Sequence, residues 1–367
     1  MEKIKVAVVF GGRSAEHEVS LQSAKNVIES LNKDLYEPVL IGIDRTGRWF
    51  LNKNSINLLH SENPKMIRLV DQKNEIALTP TGKNRKLINL HNNKSAGEID
   101  VIFPVLHGPY GEDGTIQGLA KMANVPCVGA GILGSAIGMD KDIMKRLLSD
   151  AGLPVARFLT ITENMLSGYS FEQIVSQIGI PLFVKPANLG SSVGISKVKD
   201  SSTYENAIEE AFNYDLKIII EEEIKGREIE CAVLGNENPI ASVAGEILPN
   251  DEFYSYNAKY IDEKGAMLEI PAKISDKLLK RVQEISVKTF KILECRGMAR
   301  VDMFITDEEQ IIINEINTIP GFTKISMYPK LWEYSGISYT ELVDKLIIFA
   351  IEDFKKREKL KVTVDLK

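Results

Sequence analysis

The segment from Arg300 to Asn317 carries the residue types best suited to chemistry. Two apolar runs, Arg300 to Ile305 and Ile311 to Ile316, flank a short acidic stretch and read as two strands joined by a turn. With an even number of residues in the turn, Asp307-Glu308 or Asp307 to Gln310, strand alternation places Arg300, Asp302, Glu315 and Asn317 on one face. Two carboxylates and an amide carbonyl, with no histidine or thiolate, form a hard-oxygen set that suits magnesium held jointly with nucleotide phosphates better than zinc. Arg300 beside them can neutralise developing negative charge. The same four residues also read as an ordinary polar sheet face with a salt bridge.

Other stretches offer anion or ammonium contacts. Lys185 leads into Pro186 to Gly194, a loop of small residues between two apolar strands. Backbone N–H groups in such a loop can approach phosphate oxygens, and Lys185 adds positive charge. It is neither a Walker loop nor GxGxxG, and a plain hairpin gives the same pattern. At Gly11 to Glu18 a strand gives way to a helix whose start can bind an anion or orient a carboxylate. Glu16 there could receive an ammonium group, or its charge could simply complement the helix dipole. The loop Leu106 to Gly114, with His107, Glu112 and Asp113, follows another apolar strand, where a lone histidine is more often structural than catalytic.

These residues need a scaffold of strands and helices. Lys3 to Phe10 is an apolar run, and Leu21, Ala24, Ile28 and Leu31 then recur at helical spacing, giving strand, turn, helix. Val39 to Ile43 and Val101 to Leu106 repeat the strand pattern around a polar stretch, 52–97, of weak periodicity, so the first unit is an open α/β sheet with an insertion. Ile143, Leu147 and Leu148 mark a helix ending at Gly152. Strands follow at Pro181 to Val198 and Ile218 to Ile220; the run Glu221-Glu222-Glu223 reads as a solvated turn or, after a buried strand, as a hinge. Further strands (Glu230 to Leu234, Ile240 to Glu246) precede helices near 275–294 and 338–355, and the charged tail frays.

At 367 residues two or three domains are expected. The three cysteines, Cys127, Cys231 and Cys295, lie far apart and read as reduced thiols. Val6 to Phe10 is too short for a signal segment. No stretch reaches the ~20 apolar residues of a membrane span. A net charge of −6 of mixed sign gives no nucleic-acid footprint. A cytoplasmic enzyme of small molecules, acting on neither membrane nor nucleic acid, is the expectation.

In order along the chain, GGRSAEHEVS, LHGPYGEDG, MDK, VKPANLGSSVG, NAKY, ARVDMF and NEINTIPGFT resemble the motifs of the D-alanine–D-alanine ligases of the ATP-grasp superfamily, over roughly residues 4–350. The resemblance implies an α/β fold of three domains, an N-terminal open α/β sheet and two α+β domains clamping ATP: 1–134, 135–224 and 225–358, with a tail at 359–367. It implies that Lys141, Lys185 and Lys259 contact phosphate, with Ser192 in the covering loop. Glu221, Glu222, Glu223 and Ile224 would face the adenine and Glu228 the ribose. Asp302, Glu315 and Asn317 would hold two magnesium ions, with manganese as a substitute. Glu16, linked to Ser191 and Tyr260, would anchor the first D-alanine near His107. Arg300 and the Gly321 N–H would form the oxyanion hole, with Ser326 at the second D-alanine's carboxylate and Met327 beside it. A homodimer is also implied.

The reaction implied is transfer of the ATP γ-phosphoryl group to one D-alanine carboxylate, then attack by the second D-alanine's amine. An acyl phosphate must be shielded from water, which gives the 186–194 loop and 251–262, with Phe253, Tyr254, Tyr256 and Tyr260, the role of covers. The 45–97 insertion resembles the longer D-alanine–D-lactate and D-alanine–D-serine ligases of vancomycin resistance. Tyr260 and Met327 favour D-alanine as acceptor. A non-catalytic nucleotide-binding descendant has no chemical need to keep Arg300, Asp302, Glu315 and Asn317 together. An ATP-grasp carboxylase or glutathione-type ligase leaves the combination of Glu16, Ser191 and Tyr260 unexplained.

Overall fold

The computed structural model describes residues 2–52, 74–80, 86–249 and 266–361. Lys259, Tyr260 and the 251–262 cover lie outside the described residues.

Near the N-terminus, β1 (Ile4–Gly11), β2 (Tyr36–Ile43), β3 (Trp49–Leu51) and β7 (Val101–Val105) form a sheet of order β3-β2-β1-β7, with β1 parallel to both β2 and β7. The crossover from β1 to β2 is α1 (His17–Ser30), whose Leu21, Ala24 and Val27 face the core. The polar insertion, expected to lack clear periodicity, contains a small antiparallel sheet of β4 (Ile76–Leu78), β5 (Lys86–Asn89) and β6 (Ser95–Glu98). Its strands are three or four residues long, too short to print a period. Ile76, Leu78 and Leu87 nevertheless pack against Ile41 and Ile102.

A second sheet, antiparallel and of order β10-β9-β11-β8, combines β8 (Phe158–Thr162), β9 (Leu182–Pro186), β10 (Ser196–Val198) and β11 (Lys217–Glu222). The third has the order β14-β13-β12-β15-β16, from β12 (Arg227–Gly235), β13 (Ile240–Pro249), β14 (Ala266–Glu269), β15 (Gly297–Ile305) and β16 (Ile311–Asn317). The N-terminal and third sheets share one core, in which Phe103 and Val105 meet Phe322, Tyr328 and Trp332.

Between the first two sheets run α2 (Thr115–Met122), α3 (Gly131–Met139) and α4 (Lys141–Asp150). Asp140 caps α4 by accepting the Ile143 N–H at 3.1 Å. The buried face of α4 is not the one that Ile143 marked: Ile143 is 40% exposed, while Lys141, Met144, Lys145 and Leu148 point inward. Met144 and Leu148 join the core of the third sheet, so the spacing i, i+4, i+7 runs through two lysines that an apolar pattern does not register.

The β15–β16 hairpin corrects the register expectation. Ile305 faces Ile311, so the turn has five residues, Thr306 to Gln310, an odd number. Left alone, that turn would set Asn314 opposite Asp302. Instead Met303 pairs with Ile313 and Asp302 with Glu315, and the extra residue, Asn314, forms a bulge. Downstream of it Asn317 pairs with Arg300, so all four polar residues share a face after all.

Helix α3 lies tightly on the end of this hairpin. A Cβ at Gly138 would sit 2.8 Å from Thr318 Cγ2 and 3.2 Å from Ile316 Cγ2. Gly138→Ala is therefore expected to cost about 1–3 kcal/mol through overpacking. A urea midpoint equal to that of the parent chain would show that α3 can move away freely.

Candidate active site

Loops and strand ends from the N-terminal, second and third sheets surround a cavity of about 460 Å³. Glu16 comes from the start of α1, His107 and Glu112 from the loop after β7, and Gly190 and Ser191 from the loop after β9. The third sheet supplies Glu230, Arg300, Glu315 and Asn317, and the following segment supplies Gly321, Ser326 and Met327.

One row of the third sheet sets Glu230 on β12 opposite Asp302 on β15, and Asp302 opposite Glu315 on β16. Arg300 binds the Asp302 carboxylate with two nitrogens, Nε and Nη2, each at 2.7 Å, while Nε also lies 2.9 Å from Glu230 Oε2. Asn317 Nδ2 donates to Asp302 Oδ2 at 2.8 Å, and Lys141 Nζ stands 3.5 Å from Glu315. Burial opposes the Arg300 charge, yet Asp302 and then Glu230 outweigh it and hold the guanidinium protonated well above its ordinary range.

Among the described residues no set of three His, Cys, Asp or Glu side chains is gathered for a metal ion. The donor set that Asp302, Glu315 and Asn317 offer is two carboxylates and one amide oxygen. Hard oxygens on one strand face fit magnesium, whose remaining positions are commonly filled by water and nucleotide oxygens.

Elsewhere in the cavity lining, Ser191 Oγ donates to Glu16 Oε1 at 2.5 Å, joining residues 175 positions apart. Ser191 and Ser192 both adopt left-handed backbone, with φ of 55° and 60°, which turns the loop back toward α1. His107 is buried, with Nε2 3.5 Å from Ser23 Oγ, and burial pushes its pKa down, although the nearby Glu16 charge pulls it up.

Glu112 accepts the Gly108 N–H at 2.8 Å and the Ile319 N–H at 3.3 Å, tying the loop after β7 to the segment that carries Gly321. Burial, then the charge of Glu16, pushes its carboxyl up to about 8. Ser326 stands at the N-cap position of the helix Met327–Tyr334, with no side-chain hydrogen bond to its first turn. Its Oγ accepts the Thr323 N–H at 3.0 Å and lies where a Cβ on Gly321 would collide, at 2.8 Å. Met327 is buried beside it.

Lys185 Nζ stands 2.5 Å from Glu221 Oε2, and Lys145 Nζ, fully buried, stands 3.0 Å from Glu221 Oε1. Lys141 Nζ donates to the Leu189 carbonyl at 2.5 Å. The run 221–223 is thus no solvated turn. Glu221 and Glu222 end β11, with Glu221 buried, Glu222 paired to Arg157 at 2.7 Å and Glu223 to Lys197 at 2.6 Å. Ile224 and Glu228 follow, half-buried, the latter on β12. These lysines and glutamates adjoin the cavity rather than line it, and Lys259 and Tyr260 lie outside the described residues.

Three residues of the site escaped the sequence reading. Lys145 was signalled by its i, i+4 spacing from Lys141. Glu230 alternates with Glu228 in an apolar strand. Glu112 stood in a quoted loop without a role.

The chain matches the family model described as D-ala D-ala ligase N-terminus over residues 5–130 and D-ala D-ala ligase C-terminus over 147–348. It is 53% identical to D-alanine--D-alanine ligase of Shouchella clausii, over 99% of each chain. Against D-alanine--D-alanine ligase A of Escherichia coli K12 the identity is 50%, over 99% of this chain and all of the relative. Among solved structures, the D-alanine-D-alanine ligase of Coxiella burnetii superposes with a TM-score of 0.87 at 38% identity, covering 98% of this chain and 97% of that one. VanG D-Ala:D-Ser ligase of Enterococcus faecalis gives 0.85 at 37%, covering 95% and 100%.

The raised Glu112 pKa has a stability consequence. Between the ordinary value of 4.5 and about 8, the folded chain keeps a proton that the unfolded chain has released. Stability therefore declines as pH rises through that window and levels off above it. Glu112→Gln removes this slope: melting temperatures of the variant are expected to change less between pH 5.5 and 8.5 than those of the parent. Parallel profiles would refute the assignment.

Proposed function

The chain belongs to the D-alanine–D-alanine ligase family, and from that premise we propose how its own residues carry out the ligation. The reaction is the ATP-dependent joining of two D-alanines into D-alanyl-D-alanine, a peptidoglycan precursor. Supporting this reading above all is the cavity whose lining includes Glu16 and Ser191, in contact with each other, together with Arg300, Glu315 and Asn317, with the buried Asp302 paired to Arg300 behind them.

The first D-alanine's ammonium binds at Glu16, held by Ser191 and, in this reading, Tyr260, with His107 alongside. Burial disfavours a charge on His107 that would compete with the ammonium for Glu16. The substrate carboxylate attacks the ATP γ-phosphorus; the new O–P bond gives D-alanyl phosphate as ADP departs. Lys141, Lys185 and Lys259 bind the phosphates, Ser192 lies in the loop that covers them, Glu221 to Ile224 face the adenine, and Glu228 holds the ribose. Lys185 must then exchange Glu221 for phosphate, and Lys145 remains to balance the buried carboxylate. Asp302, Glu315 and Asn317 would hold magnesium, which would supply positive charge to the phosphate oxygens; two ions, replaceable by manganese, belong to the proposal.

The second D-alanine's carboxylate is placed at Ser326, beside Met327. Its amine, once deprotonated, attacks the acyl carbonyl, and Arg300 with the Gly321 N–H stabilises the tetrahedral oxyanion. The C–N bond stays and inorganic phosphate leaves. A cytoplasmic homodimer completes the reading. No helix among the described residues is long and apolar enough to cross a membrane, and Met122, Ile132 and Leu133 are exposed apolar side chains on α2 and α3.

The direct test is phosphate release with ATP and magnesium, with the product identified by mass. D-alanine alone is expected to give the dipeptide. Turnover confined to mixtures with D-serine or D-lactate would reassign the acceptor, and none with any of them would refute the reading. Arg300→Met is expected to lower kcat by about 10²–10³ with little change in KM for ATP, the usual loss for one oxyanion donor.

A further inference from the structure

We propose that Glu230 is a positioning residue, which keeps the Arg300 guanidinium in place when the Asp302 carboxylate turns to a metal ion. The inference rests on the reading above, in which Arg300 is an oxyanion donor and Asp302 a metal ligand.

Those two roles conflict. Asp302 binds Arg300 through both of its oxygens, a bidentate pair at 2.7 Å on each side, and one of them also accepts from Asn317. A cation at Asp302, Glu315 and Asn317 competes for the same lone pairs. Its charge also repels the guanidinium beside it. An Arg300 anchored by Asp302 alone would loosen at the very step in which it is needed, because metal and nucleotide are then bound.

Glu230 is placed to prevent this. It stands on β12, on the far side of Asp302 from Glu315, so the row reads Glu230, Asp302, Glu315 across neighbouring strands. Its Oε2 lies 2.9 Å from Arg300 Nε, the nitrogen that also faces Asp302 Oδ1. When Asp302 turns away, that N–H can be redirected to Glu230 Oε2, which already lies within ion-pair distance. The Glu230 side chain is only 5% exposed and rooted in the central strand of the five, so it has little freedom to follow solvent. A carboxylate buried to that degree requires a charged partner, and Arg300 provides it.

Charge points the same way. Glu230 adds a third carboxylate, beside Asp302 and Glu315, against Arg300 and Lys141, so its loss removes a negative charge next to the guanidinium.

The test is a double-mutant cycle read in two ways: kcat, and the calorimetric affinity of a phosphinate analogue of the tetrahedral intermediate in the presence of magnesium nucleotide. Glu230→Gln is expected to weaken both by about 10-fold or more, leaving ATP affinity within a few-fold, and Glu230→Asp to recover part of the loss. Added to Arg300→Met, Glu230→Gln should cost less than ~2-fold further, since it acts through a group already removed. Unchanged analogue affinity in Glu230→Gln would overturn the proposal, as would losses that multiply in the double variant. An Arg300→Met variant with full analogue affinity would sink it together with the reading it rests on. Should Glu230→Gln fail to fold, Glu230→Asp carries the cycle, compared with the parent at matched melting temperature.

Discussion

The register of β15 on β16 is the constraint on which the candidate site depends. A strand pair alternates faces strictly, so a slip of one residue would send Glu315 and Asn317 into the apolar layer and bring Asn314 and Ile316 to the cavity. The five-residue turn produces that slip and the bulge at Asn314 reverses it. A neighbouring segment steadies the bulge: the Ile313 N–H donates to the Pro154 carbonyl at 2.9 Å, and Val155 forms a parallel bridge to Ile313 on the outer edge of β16. The site thus depends on a connection, 150–157, that contributes no side chain to the cavity.

Buried charge is the second constraint, and the structure handles it by pairing. Lys145, Glu221 and Lys185 form one cluster, and Glu230, Arg300 and Asp302 another. In each, burial alone would neutralise the groups; the partners hold Arg300 protonated and keep the Glu221 carboxyl below its ordinary range. Such clusters add little net stability over an apolar core, but breaking one by removing a partner is expensive. Their geometry is well suited to exchange, because each contains one more like-charged group than a simple pair and a ligand can replace that group without stranding its partner.

The apolar periods made the scaffold legible: the β1–turn–α1 unit, β12, β13, β15 and β16 of the third sheet and the helices at Asp276–Ile292 and Tyr339–Glu358 stand close to where the spacing put them, whereas the four-residue β14 did not show. Ordered motifs did the same for the family. What stayed hidden has a physical reason in each case. The strands of the insertion are too short to show a period, and α4 buries lysines in place of apolar residues. Glu221 looked solvated because its partners, Lys145 and Lys185, are distant in sequence. The bulge left no mark either, since Asn314 is an ordinary residue in an apolar run and only the partner strand reveals that it is extra.

The Glu16–Ser191 contact shows how the two halves of such a site can be joined without a large interface. Glu16 begins α1 and is fixed from behind, because the Ser20 N–H donates to its carbonyl at 3.0 Å and the Gly11 N–H to Ser20 Oγ at 2.7 Å. Ser191 sits on a loop of small residues whose left-handed backbone few side chains tolerate. The Ser191 hydroxyl-to-carboxylate bond registers this loop against the start of the helix. In the proposed reading, the first substrate's ammonium binds the same carboxylate that holds this loop, which would couple substrate binding to the covering of a water-sensitive acyl phosphate.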